Sequence, residues 1–201
     1  SVGLSKVFRE RLAVQGGEIV LEQKYAEGDK DFRAQLTAIK TAQPDAIAVT
    51  GFYTEAALIC KQARDLGLTM PIFGGDGWEA PELIQIGGQA VENTYYASHY
   101  SSASSAPEVR AFVEKYRARF NGETPDSMAP LAYDAVHIIA DAIARAGTTE
   151  GPKLRDALAA TKDFAGVTGR TTIDSQRNAS KSAVILTVKD GRTHFLETVD
   201  P

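Results

Sequence analysis

The sequence predicts an α/β fold with a parallel β-sheet, and three observations support this prediction. Short apolar runs alternate with amphipathic helical patterns through residues 1–100, as in βαβ units. Several of the helical patterns end at a glycine, which commonly closes a helix. The tail holds two strand-like runs joined by Asp190-Gly191, a strong hairpin signal. We therefore expect helices on both faces of the sheet and ligands at the carboxyl ends of its strands.

The elements of residues 1–100 follow one another in a regular order. A helix covers SVGLSKVFRERLAVQ, and EIVLEQKY (18–25) has the β-branched and aromatic content of a strand. A second helix follows, with Asp29 or Asp31 placed to cap its start. The later elements are a strand at 45–51, a helix ending at Gly67, a strand at 71–75, a short helix with Pro81 in its first turn, and a strand at 93–100.

The second half of the chain changes character at a low-complexity stretch. SSASSAPE (101–108) is the best candidate for a hinge or a domain boundary. Behind it lie three helical patterns: PEVRAFVEKYRARF, MAPLAYDAVHIIADAIARAG and GPKLRDALAATK. The strand-like tail follows them, so we expect this half to be mainly helical until the final hairpin.

Composition excludes several classes of partner. The net charge is −4 with a pI near 5.4, and no window collects lysine and arginine on one face. Nucleic acids and anionic membranes need clustered positive charge, so neither is an expected partner. No apolar run approaches the roughly 20 residues that span a bilayer. The single cysteine, Cys60, falls on the inner face of a helical pattern, which indicates a small buried side chain.

The stretch PIFGGDGWE (71–79) runs from a predicted strand into its carboxyl-terminal loop, at the same sheet edge as the loops after Tyr25 and Thr50. It has neither of the glycine spacings that cradle phosphates. Asp76 lacks the neighbouring carboxylates that a calcium loop requires. The three histidines have no metal-ligand spacing, and the chain has no nucleophile elbow, so no catalytic partner for Asp76 is found. An enzymatic function is not expected.

Two interpretations of this stretch stay open, a plain turn and a turn that binds a ligand. Gly74, Gly75 and Gly77 permit close backbone approach and positive φ. Asp76 between them could receive a cation such as an α-ammonium group through a charge-assisted hydrogen bond. Trp78 could form a wall of the site or only pack beside it.

The matching loop of the preceding strand, TGFYTE (50–55), also has two interpretations. Phe52 and Tyr53 either line a pocket or only begin the next helix together with Thr54. A third acidic stretch, EGDKDF (27–32), looks metal-like in its alternating carboxylates. A helix start explains it better, because acidic and capping residues favour that position.

The order of these motifs resembles one family over the whole chain. GDKDFRAQLTAIKTAQPDAIAVTGFYTEAALICKQARDLGL, PIFGGDG, PLAYDAVHIIADAIARAG, FAGVTGRTTID and AVILTVKDGR appear in the order found in periplasmic leucine/isoleucine/valine-binding proteins. These proteins are the amino-acid receptors of ABC importers. The resemblance implies a type I periplasmic binding fold, with two Rossmann-like lobes, crossing hinge strands and a ligand closed between the lobes.

On that template the chain resembles only the C-terminal part of a family member, as if truncated at the N-terminus. Residues 1–100 and 185–201 would form the second lobe. Residues 101–184 would comprise a hinge crossing and a helical segment of the first lobe, whose N-terminal part is not in this sequence. The donors that hold the ligand carboxylate in the family would lie in that other part.

The resemblance also implies ligand contacts. Asp76 with Gly77 matches the acidic turn that receives the ligand ammonium, and Phe52 with Tyr53 matches an aromatic position in the pocket. Phe52 replaces a tyrosine of some relatives, which removes a hydroxyl contact. The predicted ligand-binding residues are Asp76, Gly77, Phe52, Tyr53, Trp78 and Met128.

These residues imply a binding protein for a hydrophobic or branched-chain amino acid. Its expected partner is a membrane permease, its expected location is the periplasm or the outer face of a Gram-positive membrane, and no cofactor or metal is expected. Two alternatives stay open: a sensor domain with the same fold, and an α/β enzyme that uses Asp76.

Overall fold

The structure is a computed structural model and describes residues 2–200. The α-helices of this range are α1 (Val2–Val14), α2 (Arg33–Ala42), α3 (Tyr53–Asp65), α4 (Pro81–Gly87), α5 (Pro107–Arg119), α6 (Met128–Ala146) and α7 (Gly151–Ala159). The strands are β1 (Ile47–Val49), β2 (Ile72–Gly74), β3 (Tyr95–Ser98), β4 (Phe164–Gly166), β5 (Gly169–Ile173), β6 (Ala179–Ser180), β7 (Ala183–Lys189) and β8 (Arg192–Val199). Short 3₁₀ turns lie at Asp76–Trp78 and Gly88–Val91.

The chain folds into two compact units. Unit 1 comprises Ser1–Ala97 and Leu186–His194. Unit 2 comprises Ser98–Ile185 and Phe195–Pro201. The assignment of residues 1–100 with 185–201, and of 101–184, to the two lobes of a longer protein stays a prediction.

The larger sheet confirms the predicted parallel arrangement. Its strand order is β1-β2-β3-β7-β8. β1 pairs with β2 in parallel, and β2 pairs with β3 in parallel, with Phe73 opposite Tyr95. β7 and β8 are joined by Asp190 and Gly191, whose φ angles of 52° and 67° both lie in the left-handed region. A two-residue turn of this kind matches the twist of a hairpin, so the predicted hairpin is confirmed.

The predicted strand at 18–25 is wrong. The segment EIVLEQKY has no regular secondary structure, and Val20 is 52% exposed. Its β-branched and aromatic residues favour an extended chain, but a strand also needs a hydrogen-bonded neighbour. Within residues 2–200 no strand pairs with this segment, so no ladder of backbone hydrogen bonds turns its extended conformation into a β-strand.

The core of unit 1 lies where α3 packs on its neighbours. Four small or apolar side chains of α3 are almost completely buried: Ala56, Ala57, Cys60 and Ala63. Burial raises the pKa of the Cys60 thiol to about 12, so the side chain stays protonated. This confirms the prediction of a small buried side chain.

Unit 2 joins α6 to the short antiparallel sheet β4-β5-β6 through one buried carboxylate. Asp134 accepts the backbone N–H groups of Val167 and Thr168, each at 2.8 Å, and the Thr168 hydroxyl at 2.7 Å. A Cβ at Gly166 would lie 2.5 Å from Asp134 Oδ2, so the turn approaches this carboxylate closely. The motifs PLAYDAV and FAGVTG therefore depend on each other structurally, although they are more than 30 residues apart.

Candidate functional site

The loops that follow β1 and β2 meet at the carboxyl ends of these strands in unit 1. A Cβ placed on Gly77 would lie 2.6 Å from the Gly51 carbonyl oxygen and 3.1 Å from Phe52 Cδ1. A gap this small accepts a glycine and no larger residue without movement of the Gly51 backbone. The turn that carries Asp76 and the loop that carries Phe52 are therefore packed directly against each other.

Trp78 supports this turn from inside the unit. Its side chain is fully buried, and its ring lies 6.3 Å from that of Tyr96, centroid to centroid. A Cβ on Gly74 would lie 2.2 Å from Trp78 Cε2, so the indole packs on the backbone of β2. The expectation that Trp78 forms a wall of the ligand site is thus corrected. Trp78 is a core residue that supports the turn, because the missing side chain of Gly74 leaves room for the indole ring against the backbone of β2.

Asp76 begins the 3₁₀ turn Asp76–Trp78, and its side chain is exposed. Two backbone hydrogen bonds hold the turn: Trp78 N–H donates to Gly75 O, and Glu79 N–H donates to Asp76 O, both at 3.1 Å. The predicted close approach of the glycines is confirmed at Gly74 and Gly77. The predicted positive φ is wrong, since no glycine of this turn lies in the left-handed region.

Phe52 is an exposed aromatic side chain on a fixed backbone. It is 61% exposed and has an extended conformation (φ −104°, ψ 165°) immediately before α3. Its carbonyl accepts the Ala56 N–H at 3.0 Å, while no side-chain hydrogen bond caps the helix. Tyr53 is the first residue of α3 and is half-buried. The role of Phe52 and Tyr53 as ligand contacts stays a prediction.

The third loop expected at this edge, after Tyr25, is also present. The Tyr25 hydroxyl donates to Thr50 O at 3.0 Å, and a Cβ on Gly51 would lie 1.9 Å from the Tyr25 oxygen. Burial, and secondarily the charge of Glu55, raises the pKa of Tyr25, so the phenol stays a donor at neutral pH. Glu55 is itself buried and accepts the Gly28 N–H at 2.9 Å.

Tyr25 and Glu55 were not predicted from the sequence as supports of the site. The available signal was positional, since Tyr25 ends the strand-like run and Glu55 lies two residues after the TGFY loop, in the first turn of α3. Both residues act on the backbone of loops 26–28 and 50–51. Tyr25 thereby restrains Thr50, next to the loop that carries Phe52, and Glu55 restrains Gly28.

Met128 lies in unit 2, where it is the first residue of α6. Its side chain is 60% exposed, and its N–H donates to Asp126 Oδ1 at 3.0 Å. Asp126 thus caps α6, which holds Met128 at the exposed start of the helix. Its role as a ligand contact stays a prediction.

The acidic stretch before α2 is a helix start. Asp31 Oδ1 accepts the Arg33 N–H at 3.1 Å, and Asp29 Oδ2 accepts the Ala26 N–H at 2.7 Å. The hydrogen bond from the Arg33 side chain lowers the pKa of Asp31 to about 2. Among residues 2–200 no group of histidine, cysteine, aspartate and glutamate side chains is arranged to hold a metal ion. In the same range no helix is long and apolar enough to cross a membrane.

A family model described as periplasmic binding protein matches residues 1–193. The Leu/Ile/Val-binding protein BraC3 of Rhizobium johnstonii is 30% identical over 148 residues, which are 74% of this chain and 40% of the relative. The Leu/Ile/Val-binding protein homolog 2 of Brucella abortus is 28% identical over 184 residues, 92% of this chain and 49% of the relative. The chain thus spans less than half the length of these curated relatives.

Two solved structures are similar to the whole chain. One is a leucine binding protein, LivK, from Thermotoga maritima, with a TM-score of 0.92 and 41% identity; the match covers 100% of this chain and 57% of the other. The second is the branched-chain amino acid transporter substrate binding protein LivJ from Streptococcus pneumoniae in complex with isoleucine. Its TM-score is 0.84 and its identity 40%, with 99% of this chain and 56% of the other covered.

Proposed function

Since the chain belongs to the periplasmic binding protein family and has the type I fold of that family, we propose that it is part of a solute-binding component of an ABC importer. The proposed ligand is an amino acid with a hydrophobic or branched side chain. The curated relatives are named as Leu/Ile/Val-binding proteins, and the LivJ structure contains isoleucine, which supports this class of ligand.

One observation carries the proposal: Gly77 packs on Gly51 and Phe52. The turn that carries the exposed carboxylate of Asp76 therefore lies beside the exposed phenyl ring of Phe52. An apolar amino acid presents a cation and a hydrocarbon side chain on the same carbon atom. Asp76 would bind the ammonium group through a charge-assisted hydrogen bond. Phe52 and Tyr53 would contact the side chain, and Trp78 would hold the turn from beneath.

The expected energetics fit a small apolar ligand. Burying a leucine-sized side chain contributes roughly 1.5–3 kcal/mol. The charged ends of the amino acid lose water on binding and need paired groups to offset that cost. Asp76 would pair with the cationic end, and we propose that the carboxylate end is held by another part of the full-length protein.

The proposed mechanism is capture of the amino acid by closure of a two-lobed protein, followed by docking to a membrane permease. Met128 is the proposed contact from the other lobe. The proposed location is the periplasm, or the outer surface of the membrane in a Gram-positive cell. These statements rest on the family and on the relatives' names.

Calorimetric titration of the full-length protein with leucine, isoleucine and valine tests the proposal. We expect saturable binding of at least one of them and a loss of roughly 1.5–3 kcal/mol of binding free energy in Asp76→Ala, because the ammonium loses a charged partner. Asp65→Ala removes an exposed carboxylate at the far end of α3 and should bind like the unmodified protein. Equal affinity of Asp76→Ala and Asp65→Ala would contradict the role of Asp76.

A further inference from the structure

Trp78 lies in a slot on one face of the larger sheet. In the register of this sheet, Gly74 of β2 lies opposite Tyr96 of β3. A Cβ on Gly74 would be 2.2 Å from both Cε2 and Nε1 of Trp78, so the indole fills the space that a larger side chain would take. The almost completely buried ring of Tyr96 lies beside the indole, at 6.3 Å between ring centroids. Gly74 therefore forms the floor of the slot, and Tyr96 forms one side of it.

The position of the indole depends on the shape of this slot. A buried tryptophan usually fixes its ring through a hydrogen bond from the indole N–H. Within residues 2–200 the buried Nε1 of Trp78 has no hydrogen-bond partner. The orientation of the ring is therefore set by packing against its neighbours, which include Gly74 and Tyr96.

Tyr96 is held at its far end by a strand two places away in the sheet. Its hydroxyl forms a hydrogen bond with Thr193 Oγ1 of β8 at 3.0 Å. The strand order is β3-β7-β8, so the side chain reaches across β7, over two strand spacings or about 10 Å. Burial raises the pKa of Tyr96 above its ordinary value of 10.0, so the phenol keeps its proton at neutral pH. The ring is thus fixed at one end by β3 and at the other by β8.

Thr193 differs from the residues that it supports, because it is exposed. It lies on β8, which is the last strand of the sheet within residues 2–200 and is exposed along its whole length. Removal of an exposed hydroxyl usually has a small effect on stability. An effect of Thr193 on the turn at 74–78 would therefore have to pass through Tyr96 and Trp78.

We propose that Tyr96 is a positioning residue for the turn at 74–78, and that the Thr193 hydroxyl fixes the Tyr96 ring for this purpose. The contacts run from Thr193 through Tyr96 to Trp78, which ends the 3₁₀ turn that begins at Asp76. The effect on ligand binding rests on the proposed function, in which Asp76 binds the ammonium group. Because hydrogen bonds weaken when their geometry is poor, a small displacement of the turn weakens ligand binding without the loss of a ligand contact.

Isosteric substitutions in the full-length protein test this role by calorimetric titration with leucine, isoleucine and valine. Thr193→Val and Tyr96→Phe each remove one hydroxyl and keep the shape of the side chain, so both variants should fold. We expect each to weaken amino-acid binding roughly two- to tenfold, the range that one lost hydrogen bond covers. The double variant should bind like Tyr96→Phe alone, because both substitutions remove the same contact.

Thr187→Val is the matched control for Thr193→Val. Thr187 lies on β7 of the same sheet, and its hydroxyl donates to Thr94 O at 2.9 Å. The control substitution also removes one hydroxyl hydrogen bond between segments of this sheet, but that bond ends on backbone and not on the Tyr96 ring. Thr187→Val should lower the midpoint of urea unfolding at least as much as Thr193→Val and should bind amino acids like the unmodified protein.

Fluorine NMR tests the positioning of Trp78 without a ligand. The full-length protein is labelled with 5-fluorotryptophan, and the Trp78 signal is assigned by its loss in Trp78→Phe. We expect Thr193→Val to shift this signal, because the indole moves in its slot once the Tyr96 ring is released. Thr187→Val should leave the signal where it is in the unmodified protein.

Two results would overturn the role of Tyr96. One is equal amino-acid affinity of Thr193→Val and Thr187→Val, and the other is a Trp78 fluorine signal that Thr193→Val does not shift. If the unmodified full-length protein binds none of the three amino acids, the proposed ligand class is wrong. The fluorine signal then still decides whether Thr193 and Tyr96 position Trp78.

Discussion

The turn at 74–78 lies at the carboxyl edge of the sheet, which the segment at 18–25 reaches at Tyr25, yet the two differ in how completely their sequence accounts for their structure. In the turn, a Cβ added to Gly74 or Gly77 would lie closer than contact distance to a specific neighbour, and Trp78 is fully buried. The segment 18–25 has strand-like residues, but within residues 2–200 no strand pairs with it. The comparison shows that a local sequence pattern forms the structure it predicts only where another segment packs against it or pairs with it.

The largest effect should come from the packed turn. Trp78→Ala removes a fully buried indole and should lower the free energy of unfolding by about 3–5 kcal/mol, as cavities left by aromatic residues do. Phe52→Ala removes an exposed ring nearby and should leave stability nearly unchanged while weakening amino-acid binding. Urea unfolding of both variants measures this difference, and equal losses of stability would contradict the buried support role of Trp78.

An intermediate effect is expected where the two regions are joined. Tyr25→Phe removes the hydrogen bond to Thr50 O and should cost about 0.5–1.5 kcal/mol in the free energy of unfolding. Tyr133→Phe, on the exposed surface of α6 in unit 2, is the control and should cost little. If Tyr133→Phe and Tyr25→Phe lower the free energy of unfolding equally, the hydrogen bond from Tyr25 to Thr50 O does not stabilise the fold.

The same tyrosine predicts a pH dependence. Its pKa is raised in the folded protein above the ordinary value of 10.0, so folding favours the neutral phenol. The stability that Tyr25 contributes is therefore fully present below pH 10 and is lost as the pH rises through the folded pKa. The difference in unfolding free energy between the unmodified chain and Tyr25→Phe should shrink between pH 9 and pH 11. A difference that grows over this range would contradict the assignment.

The smallest effect is expected in the unpaired segment. Val20→Ser should change the free energy of unfolding by no more than about 0.5 kcal/mol, because Val20 is exposed and pairs with no strand of the described range. Val49→Ala, in the buried face of β1, is the matched variant and should cost about 1–3 kcal/mol. Equal costs in chemical unfolding would show that segment 18–25 is as well packed as β1.

Much of the fold was predictable because its signals are local. The alternation of apolar runs and helical patterns predicted β1, β2, β3 and the helices between them, and Asp190-Gly191 predicted the hairpin. The loops of the candidate site were predicted for the same reason, since the carboxyl ends of parallel strands share one edge. The sequence predicted Asp76 and Phe52 in neighbouring loops, and the structure packs Gly77 against Gly51 and Phe52.

Other features depend on contacts between distant residues. In the sequence, Asp134 is one polar residue within an apolar helical pattern. Only the structure shows that it accepts hydrogen bonds from Val167 and Thr168. Glu55 reads as a first-turn acid of α3, and the structure pairs it with Gly28. Neither pairing leaves a periodic signal, because each uses a single side chain and a backbone group far along the chain.

By itself the sequence determined the α/β class, the order of β1, β2 and β3 with the helices between them, and the two loops that carry Asp76 and Phe52. Periodicity and turn chemistry are properties of neighbouring residues, so they can be read without the fold. Only the tertiary structure decided that Trp78 is buried beneath the turn, that Tyr25 bonds the backbone of Thr50, and that Glu55 bonds the backbone of Gly28. It also decided that segment 18–25 has no strand partner within residues 2–200. Burial and strand pairing are relations between distant parts of the chain, and they exist only after it has folded.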